Sequence, residues 1–99
     1  MIPILTFTRG EFGREVVMLG AEIIGEVAPH RGERARVTYA LWQCGARHSF
    51  VPAASIEAAR TAVADLVNDW LLRTGVFYPG QEVVVRLPDE AASARARVG

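Results

Sequence analysis

Between Ser55 and Gly75 the chain carries its one long helical repeat, and the sequence before it is broken into short apolar stretches that suit strands. Ile56, Ala59, Val63, Leu66, Val67 and Trp70 recur at three- and four-residue spacing, which sets them along one side of a helix. Glu57, Thr61, Asp65, Asn68 and Asp69 fall largely elsewhere around it. Ser55 is the expected N-cap, because its hydroxyl can accept an amide of the first turn that has no helical partner. Glu57 suits the positive end of the helix dipole and Arg73 the negative end, while Gly75 suits the left-handed position that closes a helix. Asp69 and Arg73 form an i,i+4 pair in the favourable order. A helix with one apolar side must bury it against a second layer.

That layer is predicted to be a sheet. Ile2 to Thr8 reads as a short strand, and Pro3, which has no amide to donate, predicts an edge position. Gly10 and Gly13 bracket a turn. Arg14 to Leu19 and Glu22 to Ala28 are joined by Gly20-Ala21, a type II′ hairpin signal, with one continuous bent strand as the alternative. Pro29-His30-Arg31-Gly32-Glu33-Arg34 has the composition of an exposed loop. Arg36 to Gln43 is the strongest strand signal, with Val37, Tyr39 and Leu41 on one face and Thr38, Ala40 and Trp42 on the other. A second II′ turn is expected at Gly45-Ala46, returning the chain as Arg47 to Val51, where Pro52 ends the strand. Tyr78-Pro79-Gly80-Gln81 is a type II turn signal and Glu82 to Leu87 a final strand.

The expected fold is therefore α+β: an antiparallel meander of about five to six short strands packed on one long helix over residues 55–74, with a final strand after it. Residues 1–88 make a single domain and 89–99 a flexible C-terminal tail. In element order alone, the layout resembles small sheet-plus-helix modules such as double-stranded-RNA-binding domains and HicB-type antitoxins. No family motif matches residue by residue, so no role is carried over from them.

Composition narrows the chemistry. All 11 basic residues are arginines, balanced by 11 acidic ones, so the chain lacks the basic field of a general nucleic-acid binder. The absence of lysine removes a Walker A loop, a Schiff-base lysine and a Ser-x-x-Lys nucleophile. With Cys44 as the single cysteine, the chain has no internal disulfide and no cysteine-rich zinc site. The N-terminal residues lack the pattern of a signal peptide, and no apolar run approaches the ~20 residues that span a bilayer. A cytoplasmic protein with no membrane association is expected.

Cys44 and His48 form the first pair with the right chemistry for a thiolate–imidazole couple. A two-residue turn at Gly45-Ala46 would set Cys44 against Arg47 and Gln43 against His48, leaving Cys44 and His48 on opposite faces. A three-residue loop would bring the two together, but at the cost of a left-handed Arg47. His48 and Ser49 are adjacent in a strand and diverge. The two histidines are too few for a three-histidine zinc site in one subunit, so neither a metal nor a cofactor is expected. Trp42, Trp70, Phe50, Phe77 and Tyr78 read as core rather than as a ligand pocket. The distinctive surface cluster is His30, Arg31, Arg34 and Arg36, whose guanidinium forks suit phosphate or carboxylate.

Three readings of function are ordered by these observations. The first is a small, bacterial-type, non-enzymatic interaction or regulatory protein, self-associating as a homodimer through a sheet edge or meeting another protein. The second is a nucleic-acid-associated regulator using the Arg31–Arg36 loop. A ligand-binding or thiol-dependent enzyme comes last.

Overall fold

The computed structural model describes residues 2–29, 37–43 and 48–88, with residues 48 and 49 described by their backbone. The elements run β1 (Ile4–Arg9), β2 (Glu15–Leu19), β3 (Glu22–Pro29), β4 (Val37–Leu41), β5 (His48–Ala53), α1 (Ile56–Arg73) and β6 (Val84–Arg86). Among the described residues the strands form one sheet in the order β5-β4-β3-β2-β1-β6. The first five make an antiparallel meander, and β6 returns after the helix to lie parallel beside β1. The fold is α+β with a mixed sheet, as the sequence pattern predicts in all but the direction of the last pairing.

Alternation decides which side chains meet the helix. Leu5 and Phe7 of β1, Val17 and Leu19 of β2, Val27 of β3, and Val37, Tyr39 and Leu41 of β4 share one face, and pack on Ala59, Val63, Val67 and Leu71 of α1. Val63 and Val67 are fully buried, each burial contributing roughly 1.5–3 kcal/mol. Two interruptions shape the sheet. Ile24 is an extra residue between the pairs Val17↔Gly25 and Met18↔Ile23, a bulge that leaves Ile24 in the core and Ile23 outside. At Gly25 the neighbouring strand comes so close that an added Cβ would lie 2.2 Å from the Ala40 carbonyl oxygen, so only glycine fits.

The local turn chemistry matches the sequence. Leu19 pairs with Glu22 across Gly20-Ala21, with Gly20 at φ +60°, the two-residue hairpin rather than one bent strand. Between β1 and β2 the Arg14 amide donates to the Glu11 carbonyl across Phe12 and Gly13, both at positive φ (+59° and +73°). The Ser55 hydroxyl oxygen accepts the Ala58 amide at 3.0 Å, and Gly75 takes φ +80° beyond the helix end. Gly80 sits at φ +92° in the turn that the Gln81 amide closes onto the Tyr78 carbonyl.

Several expectations are corrected. Pro3 does not mark an edge, because β1 lies between β2 and β6 and the Pro3 carbonyl accepts the Val84 amide. Gln43 does not pair with His48, while the Gly45-Ala46 turn expected between them lies outside the described residues. β4 ends at Leu41, and Leu41 rather than Gln43 lies opposite His48, so the connection takes residues 42–47. β5 also runs past Pro52 to Ala53, with Pro52 paired to Thr38. That is allowed because β5 is an edge strand, where a missing amide harms no second neighbour.

Candidate functional site

The sequence-predicted binding residues His30, Arg31, Arg34 and Arg36 lie outside the described residues, between the register partners Pro29 and Val37. Cys44 and the 89–99 tail lie outside them as well. The aromatic group divides. Phe77 is buried and Trp70 packs partly buried on the core, but Trp42, Phe50 and Tyr78 are exposed, against the expectation that all five form core. Phe50 stands out of the core because β5 carries its extra residue there, in the left-handed region at φ +50°.

Two hollows flank the first half of α1, and they share Glu57 and Arg60. The first, of about 300 Å³, lies between the Gly10–Arg14 turn and the start of the helix. Its floor is an ion pair that the strand pattern places on the wrong face for a charge. Glu15 shares the parity of Val17 and Leu19, so it points at the helix and is buried. Arg60 meets it with both nitrogens of a fork: Nε donates to Oε1 at 2.9 Å and Nη2 to Oε2. Around this pair stand Arg9, opposite Glu15 in the β1–β2 register, and Arg14, whose guanidinium lies 3.7 Å from Glu26. Among the described residues no buried side-chain nitrogen or oxygen lacks a partner. The chemistry of this hollow is thus internally matched, and it fastens the helix to β2.

The second hollow, of about 330 Å³, is a groove between α1 and the outer strand β6, lined by Thr61, Ala64, Val85 and Leu87 with Glu57 and Arg60 at one end. Further along the helix Asn68 ties the strand's approach to α1, its Oδ1 accepting the Val83 amide at 2.8 Å. The groove borders the side of β6 that pairs with no further strand among the described residues. Val84 donates its amide to the Pro3 carbonyl, so Val84 and Arg86 turn their backbone groups to β1, and alternation turns those of Val83 and Val85 outward. The side chains alternate likewise: Val85 pairs with Leu5 on the helix face, while Val84 pairs with Ile4 on the open face. Val84 is 48% and Val85 37% exposed.

The sequence pattern places the Glu82 to Leu87 strand and does not show what surrounds it. Glu15 carried a readable signal, a charge at the parity of Val17 and Leu19. Asn68 was placed on the polar side of the helix, and nothing local revealed that a strand start would come to meet it.

Comparison with known proteins returns no matching family model, no matching curated protein and no matching solved structure.

Proposed function

We propose that this chain is a small non-enzymatic interaction protein that associates with itself through the β6 edge of its sheet. The observation that supports it is the combination at β6 of outward backbone groups, exposed valines and an adjoining apolar groove. Such an edge is a template for one more strand. The balanced net charge of the chain leaves no overall repulsion between copies, and no lysine interrupts the strand. Mass measurement by light scattering across a concentration series tests the reading. A mass that rises from one chain toward two supports it, and a single-chain mass at every concentration removes it.

A further inference from the structure

We infer that two copies meet with their β6 strands antiparallel and Val85 on the two-fold axis, a register selected by Asn68; this rests on the self-association proposed above. A two-fold axis normal to the sheet keeps both helices on one face, and alternation then admits an axis at Val84 or at Val85. The two differ in what they ask of the Val83 amide.

With the axis at Val84, the outward residues Val83 and Val85 of opposite copies become hydrogen-bonded partners. Each such pair needs the Val83 amide as a donor, and Asn68 Oδ1 already holds it at 2.8 Å. The two Val85 carbonyls at the centre of the joint would be left without donors. With the axis at Val85, the two copies exchange Val85 amide and carbonyl directly, and the Leu87 amide reaches the Val83 carbonyl of the other copy. Only bonds at the ends of the joint are then lost. The cap on Val83 therefore admits the second register and penalises the first.

The side chains agree with that choice. Val85 lies on the helix face at the mouth of the Thr61–Ala64–Leu87 groove, so an axis there joins the two grooves into one covered apolar strip. On the other face, Arg86 of one copy falls one diagonal from Glu82 of the other, a pairing of opposite charge.

Cysteine cross-linking reads the register. In a Cys44→Ser background, Val85→Cys should form a disulfide-linked dimer under mild oxidation, because hydrogen-bonded partners stand about 5.5 Å apart at Cα, within disulfide range. Val84→Cys should link far more slowly, since its opposite residue is Arg86. Separately, Val85→Lys should keep a one-chain mass at concentrations where the parent is dimeric, and should melt like the parent diluted to its one-chain state because the side chain is partly solvated. A parent that is monomeric throughout overturns both the self-association and the register. A dimeric parent in which Val84→Cys links faster, or in which Val85→Lys still dimerises, overturns the register and leaves self-association standing.

Discussion

The two edges of this sheet are built differently. At β5 the ladder is interrupted twice: Phe50 takes a left-handed conformation that shifts the register, and Pro52 has no amide to offer. A bulge and a proline are conformational means of spoiling an edge for a further strand. β6 has neither. Within Val84–Arg86 no residue leaves the ladder, and the nearest obstruction is a side chain, Asn68, that covers one amide before the strand begins. The contrast teaches that an edge can be closed by bending the backbone or narrowed by capping it, and that the second leaves a defined piece available.

Between the edges the sheet has no tolerance, and the largest effect belongs there. Gly25→Ala would drive a Cβ into the Ala40 backbone and pry β3 from β4, separating the half of the sheet that carries β5 from the half that carries β6. The expected loss exceeds about 4 kcal/mol, the range of exceptional single substitutions. A cooperative melt near that of the parent would contradict the close approach.

Next comes Glu15→Ala, which takes the Glu15 carboxylate from the part-buried Arg60 guanidinium and should cost about 3 kcal/mol, the low end for a broken buried pair because Arg60 borders solvent. The replacement Glu15→Leu/Arg60→Met should recover most of that. Because Arg60 also borders the β6 groove, hydrogen exchange should quicken at β6 before β5; equal quickening would show that the pair serves the whole sheet alike. Trp70→Ala should cost about 2 kcal/mol, below the 3–5 of a fully buried tryptophan, because the ring is only partly covered.

At β5 the sign reverses. A side-chain-bearing residue pays about 1–2 kcal/mol in the left-handed region, and Phe50 is 62% exposed, so Phe50→Gly should stabilise by about 1 kcal/mol in urea unfolding. A loss instead would show that the ring packs. The smallest effect is expected from Arg34→Ala/Arg36→Ala, within about 0.5 kcal/mol and without change in the mass of the assembly. A reduced dimer fraction would bring that loop into the interface and weaken the contrast between the two edges.

What could be read in the sequence was what neighbours in the chain decide. Ser55, Gly75 and the 56–70 stripe mark the helix because caps and periodicity act within a few residues, and Gly20-Ala21 marks its hairpin for the same reason. Leu71, fully on the core side, escaped because the stripe was ended one residue early at Trp70. Strand order was not legible. Whether β1 lies at an edge depends on β6, which arrives only after α1, and Pro3 merely precedes the strand it seemed to mark. The Gln43–His48 pairing was not legible for a like reason, since the register at Leu41↔His48 follows a shift near Phe50 that local turn chemistry does not signal. The candidate site was half legible: the Glu82 to Leu87 strand is readable, but the groove exists only once helix and strand lie side by side.

Pairing the first strand with the last has a consequence for how the molecule is made. While the chain is being synthesised, β1 to β5 and then α1 can assemble as they emerge, each on a neighbour already present. The outer rim of β1, where Leu5 and Thr6 await Val85 and Arg86, stays bare until the residues that follow α1 have emerged. A chain shortened before β6 would therefore expose the longer ladder of Ile4–Arg9 in place of the three residues Val84–Arg86.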